Sequence, residues 1–270
     1  MGAAMVDTGR AFREAGFYFL LVAVLSVPFW ALGALPAEAL SRLLPVNLPL
    51  SALMAVCPLV AAVLLSRWNG KLGRERLRIF DCRRIPWVWL VPVLMTMPVL
   101  TALSYALLLL VGAPLPDVAF DLMAVPLLFM LFLAGALCEE AGWQGYAHDR
   151  IEGGWSALSA AVLMGTLWAA WHVIPYMQAG HGVAWIFWQC ANTVALRVLI
   201  VWAYNNTGKS VFAASLFHAM INTSVFLFPN YGSHYDPAAA FAFTGSAAVI
   251  VVWACGGASL ARFRFRSARG

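Results

Sequence analysis

The stretch VPLLFMLFLAGALCEEAGWQGY, residues 125–146, decides the fold. Its first thirteen residues are wholly apolar, and two adjacent glutamates, Glu139 and Glu140, follow directly after Cys138. An apolar run of this grade reads as part of a helix crossing the hydrocarbon core. Carboxylates at membrane depth are expensive, so where they occur they mark a functional site.

The rest of the chain shares this character. Of its 270 residues 63% are hydrophobic and only 11% charged, and the mean hydropathy is +0.81. A soluble domain carries about a quarter charged residues. The composition therefore predicts an all-α polytopic membrane protein: one integral unit over residues 1–270, with its motif-bearing core at about 118–228. Eight apolar segments are candidate transmembrane helices: 16–35, 47–67, 86–112, 120–146, 155–176, 183–205, 210–228 and 238–262. Each is close to or above the roughly 20 residues needed to span. The first is too long for the core of a signal peptide, and seven more follow.

Eight spans put both termini on one side, and the basic residues choose the side. With a cytoplasmic N-terminus, 15 of the 17 Lys and Arg residues are cytoplasmic, Arg42 alone lies opposite, and Arg197 falls within a span. The expected location is the plasma membrane of a bacterium. The basic loop 67–84 reads as an anchor at anionic headgroups. The lipid bilayer accounts for the net charge of +5, and no nucleic-acid partner is expected. The five cysteines are scattered without CxxC spacing, which indicates neither a disulfide framework nor a thiolate metal site.

Seven polar side chains stand out at membrane depth: Glu139, Glu140, Gln144, His172, Arg197, His218 and Asn222. Each needs a partner. Glu140 and Gln144 are four apart on one helix face, where a hydrogen bond between them can form. Glu139 is rotated by roughly 100° and is free to face a neighbouring helix. Gly142 and Gly145 permit close approach of another backbone. On the fifth span Trp168 and His172 share a face, and on the seventh His218 and Asn222 do. A carboxylate and an imidazole can activate water. A second imidazole and a carboxamide can donate to an oxyanion. Glu139, His172 and His218 could equally hold a divalent metal such as zinc. A proton-coupled transporter would use similar residues, but the inverted repeats that favour one are not found.

The motifs EEAGWQGY, WAAWH and HAMIN, in this order on the fourth, fifth and seventh spans, resemble those of the CAAX protease and bacteriocin-processing (Abi) family of intramembrane endopeptidases. The approach WAYNNTGKSVFAASLFHAMINTS resembles the family too, and the likeness covers about residues 132–225. It implies an active site in the interior of the helix bundle. Glu139 and His172 would activate water, and His218 and Asn222 would form the oxyanion site. The substrate would be a peptide or protein with a membrane-associated segment. Both metal-dependent and metal-free, glutamate-dependent mechanisms fit the family. Glu140 would be structural, held by an arginine five positions after the first glutamate. That arginine is Gln144 here, so either Glu140 is protonated or another cation, with Arg197 the candidate, serves it. A non-catalytic membrane protein of the same fold, acting in bacteriocin self-immunity or as a scaffold, is the alternative.

Depth sets a further expectation. Glu139 lies roughly 16 Å from Arg150, His218 roughly 12 Å from Ser210 and His172 roughly 25 Å from Trp155, at 1.5 Å per residue. The three meet only if the fifth helix is tilted or begins below the membrane surface.

Overall fold

The computed structural model describes residues 8–35, 50–70, 79–119, 122–227 and 232–262, and their regular structure is entirely helical. Arg42, positions 71–78 of the basic loop and the basic tail beyond Arg262 lie outside the described residues. In lipid every backbone N–H and C=O must be satisfied within the chain, which leaves the helix as the solution for segments this apolar.

We number the helices α1 (Thr8–Gly33), α2 (Cys57–Trp68, entered through a 3-10 turn at Leu50–Val56), α3 (Leu90–Leu110), α4 (Ala124–Glu152), α5 (Ala157–Gln178), α6 (Val183–Asn206), α7 (Val211–Leu227) and α8 (Pro237–Cys255). Seven of these spans are long and apolar enough to cross a membrane; α7, at 17 residues, is the short one. Outward faces carry exposed Phe17, Val91, Leu127 and Trp253, as a lipid-facing surface should. The boundaries follow local chemistry. Ser156 caps α5 by accepting from Ser159 N, and Asp236 caps α8 by accepting from Ala239 N ahead of Pro237. Between α6 and α7, Gly208 and Lys209 both adopt positive φ, making a tight turn that returns α7 antiparallel to α6.

Alternate connections gather at one end of the bundle. Arg150 bonds Glu14, Ser210 bonds Asp81, Lys209 bonds Asp149 and Glu152, and Asn205 and Asn206 bond the backbone of Ser259 and Leu260. The start of α1, the α2–α3 connection, the end of α4, the α6–α7 turn and the chain after α8 thus share one polar end, as an alternating eight-helix path requires.

Inside, α5 packs on α6, α4 on α7 and α2 on α4. Two glycines let a neighbouring helix backbone approach closely. A Cβ on Gly142 would stand 2.5 Å from Pro58 O and would collide with the Tyr18 hydroxyl. One on Gly165 would stand 2.9 Å from Val194 Cα and 3.0 Å from Arg197 Cβ. Gly142 so brings α4 against α1 and α2, and Gly165 brings α6 up to α5, one turn before Trp168.

Candidate functional site

The two glutamates end the α-helical part of α4 and diverge, as their offset around the helix requires. Glu139 turns toward α5, where its Oε2 accepts from Trp168 Nε1 at 2.9 Å and from Trp143 Nε1, one turn on, at 3.4 Å. Glu140 turns toward α6 and α7. Its Oε2 accepts from Arg197 Nη1 at 2.7 Å, and its Oε1 meets His218 Nδ1 at 2.9 Å. Glu140 and Arg197 are both 0% exposed, so this is a buried ion pair and not a snorkelling arginine.

One sequence expectation is corrected here. Glu140 does not hydrogen-bond Gln144. From Trp143 to His148 the helix widens into a π-turn, so spacing of four no longer returns a side chain to the same position. Gln144 is buried, and neither atom of its amide is paired among the described residues. Such π segments are frequent at functional sites.

Trp168 is the centre of the cluster. The Arg197 guanidinium lies over its ring at 4.2 Å, the His218 ring packs edge-on at 5.1 Å and the His172 ring at 5.6 Å. His172 Nδ1 lies 2.9 Å from Trp168 O. A carbonyl only accepts, so Nδ1 carries the proton and a neutral ring presents its Nε2 lone pair. Trp171 at 4.8 Å and Tyr176, stacked at 5.7 Å, hold the His172 ring between them.

The depth mismatch therefore resolves through tryptophan. The residue at the level of Glu139 and His218 is Trp168, and His172 lies one turn beyond it. No direct His172–Glu139 hydrogen bond occurs among the described residues. Asn222 stands one turn past His218, half-buried and without a hydrogen bond among those residues. Among the described residues no three His, Cys, Asp or Glu side chains converge as a metal site would require. Both histidines already commit Nδ1, one to a carbonyl and one to Glu140.

Sequence reasoning missed Trp143 as a partner of Glu139, although its spacing of four was a usable signal. It also passed over a polar patch nearer the start of α6. There Asn192 Nδ2 donates to Tyr235 O–H at 3.0 Å, Tyr235 donates to Gln189 Oε1 at 2.9 Å, and Thr244 Oγ1 bonds Asn192 Oδ1. Three polar residues within WQCANT announced it.

Comparison with known proteins bears on the same segment. The family model described as type II CAAX prenyl endopeptidase Rce1-like matches residues 121–224. A curated relative from Methanococcus maripaludis, CAAX prenyl protease 2, is 28% identical over 222 residues, 76% of this chain and 81% of its own length.

Proposed function

Starting from a chain whose motif-bearing core belongs to the CAAX protease and bacteriocin-processing family, we propose that the protein is an intramembrane endopeptidase with Glu139 at its centre. The observation that carries this reading is the placement of Glu139, His172 and His218 around one indole, Trp168.

In this mechanism Glu139 and the Nε2 lone pair of His172 polarise a water between them and take its proton as its oxygen attacks the scissile carbonyl. The two indole N–H groups on Glu139 aim the carboxylate. His218 and Asn222 donate to the developing oxyanion. His218 already gives Nδ1–H to Glu140, so donation from Nε2 requires a ring with both protons, and Glu140 is its counter-ion. The captured proton then passes to the leaving amine, giving a carboxylic acid and an amine from one amide and one water. No step runs through a metal ion, because the donors do not converge on one.

The substrate class is a peptide held at the membrane by an adjoining apolar or lipidated segment. The polar end of the bundle, with both termini, faces the cytoplasm in this reading, and the membrane is the bacterial plasma membrane. The 15-to-1 partition of basic residues supports it. Cysteines introduced at Asn69 and Ser233 test this in intact cells, on a background with the native cysteines removed. An impermeant thiol reagent labels position 233 and leaves position 69 silent until the membrane is opened; the reverse inverts the assignment.

The peptidase test is cleavage of a library of membrane-tethered peptides, prenylated and not, by purified protein, read by mass spectrometry. Cleavage survives a chelator and vanishes in Glu139→Ala. Undiminished turnover in Glu139→Ala would remove the hydrolase reading.

A further inference from the structure

The best-supported unassigned role in the molecule is that of Arg197. Its guanidinium is fully buried, yet only Nη1 has a hydrogen-bond partner among the described residues; Nε and Nη2 have none. A buried cation with unmet donors is a poor device for stability. Its contacts, however, are selective. One edge meets Glu140, which meets His218 Nδ1, and one face covers Trp168, whose Nε1 meets Glu139. Gly165 makes this possible, since any larger residue there would press on Arg197 Cβ.

We infer that Arg197 is the positioning residue of the site, joining its two halves: through Glu140 it fixes the His218 ring, and through the Trp168 face it fixes the indole that aims Glu139. The kinetic part of this inference rests on the peptidase reading; the geometric part does not. The charges also balance through Arg197. With His218 carrying both protons, Glu139, Glu140, Arg197 and His218 sum to zero, and removing Arg197 leaves one carboxylate without a cation. A cation on the indole face also strengthens the indole N–H as a donor, by polarising the chain of contacts that ends at Glu139. Lysine could meet Glu140 but not lie flat on the ring.

The experiment is proton–nitrogen NMR of histidine-labelled protein in nanodiscs, alongside kinetics on a cleaved peptide. The five histidines are assigned by single substitution. In the parent protein His218 shows a protonated Nδ1 with the downfield proton of a hydrogen bond to a carboxylate. Arg197→Gln loses or shifts that resonance and leaves the His172 resonance in place. It lowers kcat by about 10- to 100-fold, the range for partners that orient a reacting group, with KM held within about threefold. Arg197→Lys restores the resonance and part of kcat. An unchanged His218 resonance in folded Arg197→Gln overturns the inference, as does an Arg197→Lys no better than Arg197→Gln in both measurements. Should Arg197→Gln not fold, Arg197→Lys against the parent decides alone. An intact resonance with full kcat loss would assign the residue to the stacked face only and defeat the joint role. A protein inactive on every peptide, but with the expected resonances, defeats the peptidase reading and leaves the positioning role standing.

Discussion

Two buried polar regions share this bundle, and they are built in opposite ways. The cluster of Glu139, Glu140, Arg197 and His218 is ionic. It leaves Arg197 Nε, Arg197 Nη2 and both Gln144 amide atoms unpaired among the described residues. The patch of Gln189, Asn192, Tyr235 and Thr244 is neutral and closed on itself, with each carboxamide oxygen and the tyrosine hydroxyl engaged. Its Asn192, Tyr235 and Thr244 line a cleft with Met97, Tyr105 and Asp236, toward the end of the bundle away from the basic connections. A neutral network that satisfies its own groups ties helices together. An ionic one with unmet donors costs desolvation energy that packing does not return. On the proposed function the contrast separates a region arranged for chemistry from a region arranged for cohesion, though Tyr176 connects them: it stacks on His172 and accepts from Gln189 Nε2.

The largest expected effect is at Glu139. Glu139→Gln lowers turnover by at least about 10³-fold, in line with loss of a general base, while the melting temperature stays within a few degrees. A folded Glu139→Gln with near-parental turnover would erase the distinction between the regions.

Glu140 and Arg197 come next, and there stability moves first. Removing one partner of a buried pair costs about 3–5 kcal/mol, because the other charge is left alone. Glu140→Gln and Arg197→Met each fall in that range by denaturant or thermal unfolding. The double variant recovers most of the stability and none of the turnover. If the double variant is no more stable than either single one, the pair is not the energetic unit described.

The neutral patch gives a smaller and different response. Asn192→Ala costs about 0.5–1.5 kcal/mol, the net worth of a neutral hydrogen bond. Turnover changes by less than about threefold, since none of its bonds reaches Glu139. A loss of turnover comparable to Arg197→Gln would show that the patch belongs to the site.

The smallest effect lies at the polar end, outside the spans. Lys209 is part-buried, which works to lower its pKa, but the carboxylates of Asp149 and Glu152 more than offset this and hold it above the ordinary lysine value. A group whose folded pKa is raised contributes stability that is full below its unfolded pKa and lost as pH rises through the folded one. Lys209→Met therefore costs about 0.2–1 kcal/mol at neutral pH, as partly exposed pairs do. The difference from the parent closes above the ordinary lysine range, as Lys209 loses its proton, and also in acid, as its two carboxylate partners gain theirs. A gap that stays constant through both ranges would show that the ion pairs contribute nothing.

Much of this molecule was legible before any coordinates. Apolar segments of spanning length have one solution in lipid, so most helix ends fall within a few residues of where composition places them, but α1 starts about eight residues before its apolar run, α4 continues about six past it and α8 stops about seven short. The offset between Glu139 and Glu140 follows from helix geometry, and so does their division between neighbours. Local spacing misled in one place, at Gln144, where the π-turn breaks the register on which the reading depended. WQCANT was readable and was passed over, because a few polar residues in a long apolar helix look ordinary when the partner, Tyr235, is more than forty positions away.

By itself the sequence determined the class of protein, the number and order of the helices, and the motifs of Glu139, His172 and His218. These depend on hydropathy and on spacing within one helix, both of which are local. Only the tertiary structure decided that Arg197 serves Glu140, that Trp168 holds Glu139, and that His172 stands one turn beyond them. Arg197 and Glu140 are 57 positions apart, and their contact depends on how closely α6 approaches α5 at Gly165. That distance is set by the packing of several helices at once, and no single segment encodes it.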